Sequence, residues 1–312
     1  MKQKPSKSKI KSKINGLTFA SSCVMDLEHQ IGTMASRDRA EEGEWIKVDL
    51  HVHTLDDPVD VIDYSAHQLL ERARSLGFGV LAITLHDHVF DRPEVFADAA
   101  AMGILLMPAA EIRIEGADVL IFNVSGEEIA GLKSFDDLRK LRGRRGDSIF
   151  TIAPHPFYVL GGSIGPRLLR EIDCFDAIEF CHFYKGLLNP NRRAAKVAAR
   201  FGKPLIATSD AHRLHAFGRH YTSIPRPAEL TSENVFSALH KGPMRLTSPP
   251  CTLVDLMSAI YFIFLAHPIR SWRHHTDKHE IRKCQSGSDR SSKQFQITKK
   301  AELENAGQRL EH

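Results

Sequence analysis

The sequence has no Cys-x-x-Cys pair. Its five cysteines (Cys23, Cys174, Cys181, Cys251, Cys284) are scattered and odd in number. That excludes a disulfide framework and points to a reducing, cytoplasmic setting. No Gly-rich loop of the Walker type occurs, which excludes nucleotide-driven phosphotransfer of the P-loop kind. No fixed-period repeat is visible. The basic N-terminus lacks the apolar stretch and small-residue cleavage site of a secretory signal. The longest hydrophobic run, Leu253 to Ala266, contains Asp255 and falls short of the roughly 20 apolar residues a membrane span needs. It reads as a helix packed on the domain. The less favoured reading is an interfacial anchor, with Tyr261, Phe262 and Phe264 ahead of Arg270, Trp272 and Arg273.

The net charge of +4 is misleading, because residues 1–13 hold six lysines and no acid. With 312 residues, 42% of them hydrophobic, the chain can bury one large core. Residues 1–44 read as a disordered basic tail and residues 275–312 as a disordered polar one. Residues 45–250 read as one catalytic barrel, followed by the hydrophobic helix and basic flank over 251–274. Within the barrel, strands alternate with helices, the pattern of a parallel α/β sheet. Ser65 and Gln68 form a capping box ahead of Leu69, Leu70, Ala73 and Leu76, and Gly77 ends that helix. Ser134 opens another helix carrying Leu138 and Leu141. A basic amphipathic helix spans Asn191 to Phe201, and a fourth spans Ser232 to Lys241.

Histidines and acids recur where apolar runs end. His51 and His53 close Lys47–His53, and His86 and His88 come after Val80–Leu85. Glu111 comes after Ile104–Met107, His155 after Ile149–Ala153, and Asp210 and His212 after Ile206. Strand side chains alternate faces. That rule puts Val48, Leu50 and Val52 on one side and Asp49, His51 and His53 on the other. Strands that end in ligands around a barrel converge those ligands on one rim. Imidazole and carboxylate are donors that zinc, iron and manganese share, so the pattern predicts a multi-metal hydrolase.

The order His-x-His, Thr-x-His, Glu, His-Pro, Ser-Asp-Ala-His resembles the polymerase and histidinol phosphatase (PHP) family of metal-dependent phosphoesterases. The resemblance runs from about Trp45 to about Ile224. It implies a distorted seven-stranded (βα) barrel with two or three divalent metals (zinc, manganese or iron) at its C-terminal rim. It implies metal ligands at His51, His53, His86, Glu111, Asp118, His155, Asp210 and His212, with catalysis centred on Glu111, His53 and Asp210. Glu111 would bridge two metals. Thr84-Leu85-His86 stands where the family has Thr-Asp-His. Anchoring on Thr84 makes His86 the ligand, and this alignment is preferred; anchoring on the Asp-His pair selects Asp87 and His88. Asp118 stands where the family tends to carry histidine, which favours manganese or magnesium there. The acid after the first motif is Asp56, Asp57 or Asp60.

The implied activity is hydrolysis of phosphate esters by metal-activated water. The substrate would be a small phosphorylated molecule or a nucleotide, with Arg213, Arg219 and Lys185 as phosphate clamps. Two alternatives stand: a nuclease acting on nucleic acid ends, and a degenerate barrel that binds without turnover.

Overall fold

The computed structural model describes residues 44–158, 161–252 and 255. The tails expected over 1–44 and 275–312, and the apolar stretch from Leu253 to Ala266, lie outside the described residues (Glu44 and Asp255 apart). No helix among the described residues is long and apolar enough to cross a membrane.

Among the described residues one nine-stranded sheet organises the fold, in the order β7-β6-β5-β4-β3-β2-β1-β8-β9. The parallel strands are β1 (Trp45–Val52), β2 (Phe78–His86) and β3 (Leu105–Ile114), and then β5 (Phe150–Ala153), β6 (Ala177–Phe180) and β7 (Leu205–Ala207). β4 (Ala117–Phe122) runs antiparallel between β3 and β5. β8 (Tyr221–Pro225) and β9 (Arg245–Thr247) add antiparallel pairings on the far side of β1. The count therefore exceeds the expected seven. The extra strands come after the last motif or within a hairpin, where no ligand marks a strand end.

The sheet curls until its ends approach. A single hydroxyl joins β7 to β8: Thr222 Oγ1 accepts from the Ala207 amide at 2.9 Å and donates to the Ala207 carbonyl at 2.9 Å. Beyond β7 the chain reaches β1 directly, through an isolated Val52–Ala211 bridge. The Ser209 amide also donates to Asp49 Oδ1 at 3.0 Å.

Alternating side chains of the strands fill the interior. Val48, Leu50, Val80, Ala82, Met107, Ala109, Leu120, Phe122, Phe150, Ile152, Ala177 and Ile206 form one buried cluster. Val235, Phe236 and Leu239 of the helix Ser232–Lys241 plug it. Phe236 stacks on Phe150, the first residue of β5, at 5.0 Å, so the plug sits at the end where the parallel strands begin. The opposite rim is left to polar side chains.

The outer faces are covered by α1 (Ala66–Leu76), α2 (Pro93–Ala101), α4 (Phe135–Arg145) and α5 (Asn191–Phe201); α3 (Gly126–Ala130) is a single short turn and α6 is the plug helix (Ser232–Lys241). Local chemistry sets the helix ends as the sequence predicts. The Ser65–Gln68 capping box is formed, and Gly77 takes φ +74° to end α1. Ser134 caps α4 in the same way with Asp137.

Strict alternation fails in β1. Between Asp49 and Val52 the strand holds one residue more than its partner holds between Leu81 and Ile83. This β-bulge reverses the facing of the residues beyond it. Val48 and Leu50 pack in the interior cluster, whereas Val52 packs in an outer cluster with Leu81, Ile83 and Leu69. The expectation that Val48, Leu50 and Val52 share one face is thus corrected. The bulge lets His51 and His53 turn inward above an apolar layer made by the same strand.

Candidate metal centre

Three of the strands that contribute interior apolar residues place polar ones next in the series. β3 runs Met107, Ala109, Glu111; β2 runs Val80, Ala82, Thr84, His86; β6 runs Ala177, Glu179. Their ends, the bulged end of β1 and the turns after β5 and β7 meet at the rim. His155 (φ +28°) and Asp210 (φ +46°) both sit in left-handed backbone, a conformation L residues adopt at a cost and which clusters at functional sites.

Glu111 is the hub. Its Oε2 lies 3.2 Å from His51 Nε2, 3.3 Å from His53 Nε2 and 3.3 Å from His86 Nε2, and its Oε1 lies 3.3 Å from His155 Nε2. Asp210 Oδ1 stands 3.4 Å from His51 Nε2 and 3.5 Å from His53 Nε2. These gaps are long for charge-assisted hydrogen bonds, which fall near 2.7–2.9 Å. They match donors on a shared metal: N and O ligands held tetrahedrally at about 2.0–2.1 Å stand about 3.3 Å apart.

The other ring nitrogens of His51, His53 and His86 are at hydrogen-bond length, whereas that of His155 is buried with no hydrogen-bond partner among the described residues. His51 Nδ1 lies 2.9 Å from Glu179 Oε1, and His53 Nδ1 lies 3.0 Å from Asp57 Oδ2. His86 Nδ1 lies 2.9 Å from the same Asp57 oxygen. A carboxylate only accepts, so these nitrogens carry the proton and leave Nε2 free to ligate. His53 Nε2 is buried and has no hydrogen-bond partner, which fits a nitrogen meant for a metal. Among the described residues three groups have donors close enough to hold an ion: His51, His53 and Asp210; His51, Glu111 and His155; and His53, Asp57 and His86.

The electrostatics suit a cation. Burial alone would lower the His155 imidazole, but Glu111 overrides it and pushes the pKa up to about 9. Burial would raise the Asp57 carboxyl; hydrogen bonds from His53 and His86 hold it well below the usual range. Burial likewise opposes ionised Asp210, and His51 outweighs it.

Of the expected ligands, His51, His53, His86, Glu111, His155 and Asp210 come together. His88 and Asp87 are exposed; the Asp87 amide donates to the Glu111 carbonyl at 2.8 Å, but its carboxylate accepts from the Arg113 amide and joins none of the donor groups. His212 falls outside the three groups: its Nε2 pairs with Asp60 at 2.8 Å and its ring packs 4.4 Å from that of His53. Asp118 also falls outside them and pairs with Arg113 at 2.6 Å. Asp56 bonds Arg92 at the surface.

One site residue escapes the sequence reading, and another, Asp57, stands there only as one of three candidate acids. Glu179 is buried, accepts from His51, from the His155 amide and from the Thr208 hydroxyl, and so ties three strand ends together. Asp57 carries the same role for His53 and His86.

The expected phosphate clamps divide. Arg219 is held by Asp255 at 2.7 and 3.1 Å, and Lys185 Nζ donates to the Cys251 carbonyl at 3.1 Å. Arg213 lines a cleft of about 510 Å³ with Asp63, Arg72, Leu214 and His215.

Residues 189–243 match the PHP-associated family model. A comparison with curated proteins finds no match. The first two of the following solved structures share the fold. PsfC from Pseudomonas syringae is 20% identical at a TM-score of 0.51, covering 70% of this chain and 98% of its own. A two-domain protein from Bacteroides vulgatus containing a predicted PHP-like metal-dependent phosphoesterase is 19% identical at 0.50, covering 67% and 68%. The lesion-specific endonuclease PfuEndoQ from Pyrococcus furiosus is 13% identical at 0.47, covering 70% and 66%.

Proposed function

We propose, from a chain that has the PHP barrel fold and carries a PHP-associated segment, that this protein is a metal-dependent hydrolase of phosphate esters. The observation that carries the reading is the set of four imidazole nitrogens at 3.2–3.3 Å around the two Glu111 oxygens. When bound, two or three divalent ions supply Lewis acidity to the phosphoryl oxygens and activate water as the nucleophile.

The residues have separate tasks. His51, His53, His86, His155, Glu111 and Asp210 hold the ions. Glu179 fixes the tautomer of His51, and Asp57 those of His53 and His86, so that these three Nε2 atoms face inward as lone pairs. Thr208 anchors the Glu179 carboxylate through its hydroxyl. The apolar layer beneath the rim excludes water from below. Arg213, which lines the cleft, is the residue assigned to phosphate contact. The substrate class is a small phosphorylated molecule or a nucleotide.

His53→Ala tests the reading. Metal content by mass spectrometry should fall by at least one equivalent. Phosphate release from a generic ester should drop to near background, with the circular dichroism spectrum retained. Full metal and full activity in this variant would sink the assignment.

A further inference from the structure

Helix α5 and the turn before it form a surface that the metal centre does not use. Lys185 and Leu188 pair through two backbone hydrogen bonds, at 2.9 and 3.0 Å, around Gly186 (φ +52°) and Leu187. This is the geometry of a two-residue hairpin loop. The turn lifts Leu187 and Leu188 into solvent, 89% and 76% exposed. Its base is fixed, because the Tyr184 hydroxyl donates to the Ser248 carbonyl and the Cys251 amide donates to the Tyr184 carbonyl. Two leucines are therefore presented on a rigid tip.

The helix after this turn exposes Arg192, Arg193, Lys196 and Arg200. It contains no acid, and none of the four has an ion-pair partner among the described residues. Arg192, Lys196 and Arg200 repeat at i, i+4, i+8 and so form one ridge about 12 Å long. Like charges at that spacing repel. The contrast with α4 is direct: there Arg139, Arg142 and Arg145 all have carboxylate partners. Between the tip and the metal centre lie aromatic rings. Phe183 meets Tyr158 edge-on at 5.5 Å, and Tyr158 lies 6.3 Å from His155. Both rings are partly exposed.

We propose that this face binds single-stranded nucleic acid, with the α5 ridge on the phosphates and the leucine tip and the rings on the bases, leading the strand to the rim. A line of unpaired cations beside stackable rings is the arrangement such ligands need. A membrane surface fits less well. The apolar face of α5 (Ala194, Val197, Ala198) is buried in the core, which leaves only two leucines to insert. The inference concerns binding and does not depend on the hydrolytic reading.

The test uses the full chain and a labelled phosphorothioate oligodeoxythymidine, read by fluorescence anisotropy across a salt series. The parent should bind with a steep salt dependence. Arg192→Ala/Lys196→Ala/Arg200→Ala should weaken binding about tenfold or more and flatten the log–log salt slope by about 2, the value for three lost contacts to a single strand. Leu187→Ser/Leu188→Ser should weaken binding with the slope unchanged. A control, Arg74→Ala/Arg144→Ala/Lys241→Ala, removes the same charge elsewhere and should bind like the parent. Melting temperatures check folding, and phosphate release from a small ester should persist in all three, which keeps this test separate from the hydrolytic one. The inference is overturned if the parent does not bind, or if the control loses as much as the ridge variant. It is overturned equally if phosphatidylserine vesicles, rather than the oligonucleotide, show the loss on the ridge variant.

Discussion

Three imidazoles of the candidate centre, those of His51, His53 and His86, give Nδ1 to a supporting carboxylate and turn Nε2 inward. That division makes Glu179 a sharp test. Its carboxylate orients His51 and, through the backbone, His155. Glu179→Gln keeps the size but offers an NH2 where an acceptor is needed. Affinity for zinc or manganese, measured against a competing chelator, should fall 10- to 100-fold, the usual effect of losing an outer partner. An unchanged affinity would remove Glu179 from the centre. A second test lies at Gly162, which takes φ +89° with its backbone against Asp118. A Cβ there would lie 1.6 Å from Asp118 Oδ2. Gly162→Ala should destabilise the fold by more than about 1 kcal/mol in urea unfolding, from backbone strain as well as the clash. The residues that stood out in the sequence are those that end long apolar runs: His51, His53, His86, Glu111, His155 and Asp210. Glu179 did not, because it lies inside β6, between Ile178 and Phe180, rather than after an apolar run. Asp57 was one of three acids in a loop, and only its fold into the space between His53 and His86 distinguishes it.

Helix ends were legible because capping is settled within a few residues, as at Ser65 and Ser134. The bulge in β1 was not, because it is a mismatch with β2, a strand more than twenty-five residues downstream, and leaves no local mark. Strand number escaped for a similar reason: β8 and β9 are short antiparallel additions without ligands. Elements are also joined by charge, and here pH gives a handle. Arg142 of α4 reaches Asp176, at the entry to β6, with two hydrogen bonds at 2.5 and 2.6 Å; the Thr151 amide adds a third at 2.8 Å. Burial opposes the Asp176 charge, and the Arg142 and Thr151 hydrogen bonds more than offset it, so the folded pKa is lowered. A lowered carboxyl pKa stabilises the fold above the unfolded value of about 3.9, and that stabilisation is lost as pH falls through the folded pKa. Asp176→Asn leaves a guanidinium without its counter-ion at a mostly buried site and should cost about 3 kcal/mol at pH 7. The deficit should shrink as the pH of the unfolding series is lowered below about 4. A deficit equal at pH 7 and pH 3 would mean that packing, not charge, links α4 to β6.

For the whole molecule, the barrel is built from two ends of unlike chemistry. The α6 plug and the apolar layers close one end, and buried carboxylates and imidazoles crowd the other. The apolar end comes from composition and strand pattern. The polar end was readable as a ligand set, while its geometry needed the bulge and the two left-handed turns. The strand ends at the rim are held partly by Glu111, Glu179 and Asp57, so a metal bound among them should clamp β1, β2, β3 and the turns after β5 and β7 together. Binding only the native state raises stability by mass action, by about 2.7 kcal/mol at a free metal concentration 100 times Kd. For a domain of this size that corresponds to roughly 5–10 °C in melting temperature. Calorimetry of the full chain with excess manganese or zinc, against the same chain with a chelator, should show that rise. His53→Ala should lose most of it, because the variant removes a shared donor. Asp118→Ala separates the remaining possibilities by itself. If Asp118 serves mainly as the partner of Arg113, the variant lowers both melting temperatures by the same amount. If it ligates, as the resemblance implies, the gap between the two melting temperatures narrows. The pairing at 2.6 Å and the absence of Asp118 from the three donor groups favour an unchanged gap.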